Sequence, residues 1–111
     1  MFDKKRYKDL VNELVDTELE DKIDEICEQL IAMIVADDCT FNEFIQYMQT
    51  EMTAVEYVYL SEISDEISEK KPSHKFVEAY KELAQKYPTE TRDYQIMTFI
   101  EVAEAWAEDE I

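Results

Sequence analysis

The chain has 111 residues, 28 of them acidic and 11 basic, for a formal net charge of -17, yet 46% of its residues are hydrophobic. That apolar fraction excludes a disordered acidic tail, and the length fits one domain, taken as residues 1–111. There is no glycine, which excludes glycine-rich phosphate loops and dinucleotide fingerprints, whose backbones need residues without a Cβ.

Six segments repeat apolar residues at helical spacing. The first covers residues 3–15, with Tyr7, Leu10, Val11, Leu14 and Val15 as its stripe and Asp3 as a cap. The second covers residues 18–36. Thr17 and Glu20 have capping-box spacing, in which hydroxyl and carboxylate satisfy the free amides of a helix start. Leu19, Ile23, Ile26, Cys27, Leu30 and Ile34 share a face, opposite Asp21, Asp24, Glu25 and Glu28. Residues 30–36 are apolar nearly all round, so the most buried part of the fold is expected there.

The third segment, residues 41–49, repeats the box spacing with Thr40 and Glu43. The fourth, residues 54–68, does so again with Thr53 and Glu56. It divides into three faces. Tyr59, Leu60, Ile63 and Ile67 are expected to point inward, with Val55 at the margin. Tyr57, Ser61, Ser64 and Ser68 make a neutral polar face, and Glu62, Asp65, Glu66 and Glu69 an acidic one that includes Val58.

Lys71-Pro72-Ser73 breaks the chain, because proline disfavours helical geometry in the residue before it and Ser73 can cap a new helix. The fifth segment, residues 74–86, carries Phe76, Val77, Tyr80, Leu83, Ala84 and Tyr87 on one stripe and ends at Pro88. The sixth, residues 91–109, sets Ile96, Phe99, Ile100, Ala103, Trp106 and Ala107 against a face of Tyr94, Glu101, Glu104 and Glu108. The expected fold is all-α: a compact single-domain bundle of five to six short helices.

Charge is segregated along this pattern. Residues 16–69 carry a net -15 and residues 93–111 a net -6, whereas residues 1–15 carry +1 and residues 70–92 carry +3. The basic first and fifth helices are therefore expected to lie beside acidic ones and partly neutralise them.

Several chemistries fit poorly. A recognition helix must lie among phosphates in the major groove. The fourth helix, with five acids and no base before Lys70, is unsuited to bind nucleic acid directly. The opposite idea is mimicry, in which carboxylates stand in for phosphates in a basic groove, although many acidic faces are simply well solvated. The single histidine, His74, lacks the glutamate three residues earlier that helical di-iron sites use. Two cysteines and one histidine make no structural zinc set, and Asp37-Asp38 lacks an EF-hand's spaced ligands. No cofactor, metal or catalytic residue is expected, and the chain is not expected to be an enzyme. No signal-type or membrane-spanning run is present, so a cytoplasmic protein is expected, with Cys27 and Cys39 as reduced thiols, Cys27 in the core and Cys39 accessible.

The remaining expectation is binding. Immunity proteins, antitoxins and inhibitors of nucleases share this size and charge, a likeness of size and charge only. A basic protein partner, such as a nuclease or nucleic-acid-binding protein, is expected to meet Glu62, Asp65, Glu66 and Glu69 with Tyr57 nearby, or else Glu101, Glu104 and Glu108 with Tyr94. The alternative is a structural or assembly module that forms homo-oligomers through helical faces and inhibits nothing.

Overall fold

A computed structural model describes residues 1–108. Among these, seven helices and no strand are present: α1 (Lys4–Asp16), α2 (Glu20–Ile34), α3 (Asp38–Thr50), α4 (Ala54–Lys70), α5 (His74–Lys86), α6 (Pro88–Asp93) and α7 (Ile96–Ala107). The radius of gyration is 13.0 Å, close to the ~13 Å of a folded chain of this length. The periodicity predicts five to six helices. The difference arises in the last segment, which is two helices.

The capping chemistry decides the helix starts. Asp3 accepts from the Arg6 N–H, as its position suggests. Thr53 and Glu56 form the full box: Thr53 Oγ1 accepts from Glu56 N, and Glu56 Oε1 accepts from Thr53 N at 2.9 Å. The other two boxes do not form. Helix α2 begins at Glu20 after an uncapped Leu19. Helix α3 begins three residues before the expected start, because Asp37 caps it by accepting from Thr40 N at 2.7 Å. Glu43 instead accepts from the backbone N–H of Phe2. The Phe2 ring then packs against Tyr7, Phe44 and Tyr47.

The centre of the fold is α4 rather than the C-terminal half of α2. Ala32 and Ala36, within and just beyond α2, are exposed, and Met33 and Val35 are half-buried. Helix α4 packs most extensively on α7 and also meets α1, α2 and α6. It buries Glu56, Tyr57, Leu60, Ser61, Ile63, Ser64, Ile67 and Ser68. At about 100° per residue these fill an arc of roughly 160°. The expected inward face is therefore rotated: the serine face is in the core, and Tyr59 is half-buried at the edge. Small side chains on α4 and on α7, which buries Ala103 and Ala107, suit close helix approach, since interaxial distance follows the side chains at the contact. Two of the serine hydroxyls are satisfied close by. Ser61 Oγ donates to the Val58 carbonyl, and Ser64 Oγ accepts from Tyr80 OH at 3.1 Å.

Two polar anchors hold neighbours to α4. Tyr47 OH of α3 donates to the buried Glu56 carboxylate at 2.8 Å, and Lys8 Nζ of α1 lies 3.6 Å from it. At the other anchor, Thr91 Oγ1 of α6 donates to the Tyr87 carbonyl, so Tyr57 OH donates to Thr91 Oγ1 at 2.7 Å. Pro88 ends α5 and sits at the first position of α6, where its missing N–H costs nothing. Helix α6 stops at Tyr94, and Gln95 adopts a left-handed conformation (φ 54°, ψ 42°). With no glycine in the chain, a side chain bears that geometry, at about 1–2 kcal/mol. The break holds Thr91 against Tyr57 while α7 turns to lie along α4 and α5.

Tyr7, Tyr47, Tyr57 and Tyr80 are fully buried. Desolvation pushes each phenol upward in pKa, with Glu56 adding to the effect at Tyr7 and Tyr47. The fold thus favours the neutral phenols. Their contribution is complete below the ordinary value near 10 and is lost as pH rises above it. In an absorbance titration at 295 nm these four are expected to ionise only together with loss of helical circular dichroism, above pH ~10. Titration of all the tyrosines near pH 10 with helices intact would contradict this burial.

Candidate functional site: the outer face of helix α4

The arc that α4 leaves outside the core carries Val55, Val58, Tyr59, Glu62, Asp65, Glu66 and Glu69. Glu62 lies near its centre. Asp65 and Glu69 fall on the side of α7, where Trp106 Nε1 donates to Asp65 Oδ1 at 2.9 Å. Glu66 falls on the side of α2, where the Cys27 thiol feels Glu62, Glu66 and Asp24. The four acids expected as a contact surface, Glu62, Asp65, Glu66 and Glu69, are all exposed and share one face. Partial desolvation pushes the Glu62 carboxyl above its usual range.

Tyr57, expected beside them, is corrected. It is 0% exposed and faces α6 and α5 through Thr91, Tyr80 and Tyr87. The reason is the rotation of α4: a tyrosine among serines looks like a polar surface position, but those serines are packing positions here.

The second expected cluster is divided. On α7, Glu101, Glu104 and Glu108 are exposed, but they leave the helix on the flank opposite Trp106, by their spacing of about 100° per residue. Glu104 pairs with Lys81 of α5. Tyr94 does not join them. It ends α6, 57% exposed, and lies near Tyr59 and Glu62.

Tyr94 and Glu62 belong to a groove of about 470 Å³ across the N-terminal half of α4. Its floor is Ala54, Val55, Val58 and Tyr59, with Val15 of α1 on one wall. Glu90, Asp93 and Tyr94 of α6 form the other. No basic residue lines it. Val15, Val55, Tyr59, Glu90 and Asp93 were not anticipated as site residues. They come from three separate helices, and nothing in a one-dimensional pattern brings them together.

Six of the eleven basic side chains pair elsewhere. Lys4 pairs with Glu51, Lys8 with Glu56, Lys71 with Asp38 and Lys81 with Glu104, while Lys5 and Arg92 pair locally with Asp9 and Asp93. The basic helices do lie against acidic neighbours as expected. Apart from Lys8 with the buried Glu56, exposed pairs of this kind contribute roughly 0–1 kcal/mol. Among the described residues, none of these lysine or arginine pairs reaches Glu62, Asp65, Glu66 or Glu69.

Cys39 is exposed in the first turn of α3, and Cys27 is half-buried against the core. Burial first, and then the carboxylates of Glu62, Asp24 and Glu66, push the Cys27 thiol upward in pKa. The thiolate is the reacting form, so at pH 8 a disulfide reagent is expected to label Cys39 fast and Cys27 slowly. E62Q/E66Q is expected to speed only Cys27. Equal rates at both thiols in the parent protein would sink this description.

Among the described residues no three His, Cys, Asp or Glu side chains are grouped to hold a metal ion, and no helix is long and apolar enough to cross a membrane. Compared with protein-family models, curated proteins and solved structures, the chain matched nothing.

Proposed function

We propose that this is a cytoplasmic binding protein that engages a basic protein partner and neutralises it, as an inhibitor, immunity protein or antitoxin does. The observation that carries the reading is the outer face of α4. Glu62, Asp65, Glu66 and Glu69 stand there together, and the chain's own lysine and arginine pairs are made elsewhere. Acids left without counter-charges repel one another and weaken the fold. A partner rich in Lys and Arg relieves that repulsion on docking, and opposed fields speed its approach and reject wrong partners. Nucleases and other nucleic-acid-binding proteins carry such surfaces.

The test is affinity capture from the native host at low and high salt. A Lys/Arg-rich protein retained at low salt and released at high salt is expected. Failure to retain any basic protein at low salt counts against the reading.

The alternative, a self-associating module, draws on Met97 and Val102, which are 45% and 36% exposed on α7. Light scattering over a concentration series separates the two. A dimer that persists on dilution favours assembly, and a monomer favours the basic partner.

A further inference from the structure

We infer that the groove between α1, α4 and α6 receives an apolar or aromatic side chain from a segment of the partner flanked by lysine or arginine. This rests on the binding reading above and names the chemistry that the same face selects.

Three observations converge on the groove. The first is apolar exposure. Val15, Val55 and Tyr94 are 49%, 52% and 57% exposed and come from α1, α4 and the end of α6. Single exposed apolar side chains are ordinary on any protein. Three from separate elements that meet in one concavity, over Val58 and Tyr59, give a side chain a place to lose its water. The second is shape. A groove of about 470 Å³ falls within the range of sites that take compact ligands, and interface anchors bind best in such recesses.

The third is charge. Glu62, Glu90 and Asp93 line the groove, and no Lys or Arg does. Arg92, next in sequence, is held by Asp93 through Nε at 3.1 Å. Glu62, at the rim of the groove, is already partly desolvated, so a cation placed there meets a carboxylate incompletely shielded by water. An apolar ligand without positive charge would cover Glu62 and Glu90 and leave them unpaired, which costs free energy. A second copy of this chain would bring a further net charge of -17 to the same place. The occupant that satisfies floor and rim together is an apolar anchor between basic residues.

The experiment uses the full chain and three labelled twelve-residue peptides. One has a Leu-Trp centre with Lys/Arg flanks. The second keeps the flanks and replaces the centre with serine. The third keeps the centre and replaces the flanks with glutamine. The first is expected to bind at least tenfold tighter than either other, and to shift the NMR signals of Val15, Val55 and Tyr94. Val55→Ser with Tyr94→Ser, both at exposed positions, is expected to reduce the first peptide to the level of the second, with helical circular dichroism unchanged.

Equal binding of the first and second peptides would overturn the groove assignment and leave the acidic-face reading standing. Equal or tighter binding of the third would overturn both, because charge would then play no part. So would binding by none of the three.

Discussion

Tyr57→Ala is expected to destabilise the protein by about 3–5 kcal/mol, the range for removing a large aromatic side chain from a packed core. In a chain of this size that corresponds to a fall in melting temperature of roughly 12–20 °C. The ring is fully buried, stands edge-on to Tyr80 at 6.0 Å between centroids, and tilts against Tyr87 at 5.8 Å. Alanine leaves that space empty between α4, α5 and α6. Tyr57→Phe keeps the ring and loses the hydroxyl that donates to Thr91, so about 1 kcal/mol is expected. Urea unfolding followed by circular dichroism measures both. On the surface, either change would fall within about 0.5 kcal/mol, and such a small effect from Tyr57→Ala would return this residue to the surface and remove the rotated packing of α4.

The second large effect concerns the α4 face. E62Q/E66Q/E69Q removes three of the 28 acids, taking the net charge from -17 to -14. Asp65 is kept because its carboxylate accepts from Trp106. Binding of a lysine-rich peptide at low salt is expected to weaken at least tenfold. The melting temperature at low salt is expected to rise by a few degrees, since less like charge is crowded on one helix. That gain should shrink in concentrated salt, which screens exposed charges over a few ångströms. Loss of binding joined to a gain in stability is the mark of charges kept for a partner and not for the fold. The control is E13Q/E20Q/E82Q, three exposed acids on α1, α2 and α5 with the same change in net charge. If the control weakens binding equally, recognition follows net charge, and the directed face is wrong.

The two variants probe opposite sides of one helix, and α4 shows how sequence and structure divide the information. Its start was legible, because the Thr53–Glu56 box is a local reciprocal pair and local chemistry suffices to form it. Its acidic face was legible too. Four carboxylates at positions 62, 65, 66 and 69 fall together on any helix, and burying them unpaired is too costly for either side of the core. Its inward direction was not. Serine and tyrosine tolerate both water and packing, so the arc holding Tyr57, Ser61, Ser64 and Ser68 is ambiguous until neighbours are present. The fate of Thr17–Glu20 and Thr40–Glu43 makes the same point for caps. The spacing permits a box, but Asp37 takes the start of α3, and Glu43 bonds to Phe2 instead.

By itself, then, the sequence determined the helical class, the segregation of charge and the membership of the α4 acidic face. All three rest on periodicities of 3.6 residues and on the cost of burying charge, both local properties. Only the tertiary structure decided that the serine side of α4 packs in the core and that the last segment breaks at Gln95. It alone separated Tyr94 from Glu101, Glu104 and Glu108 and set it beside Glu62 in a groove with Val15 and Val55. Those outcomes depend on side chains 34 to 79 positions apart, such as Tyr57 with Thr91 or Val15 with Tyr94, and contacts at that range exist only once the helices have packed.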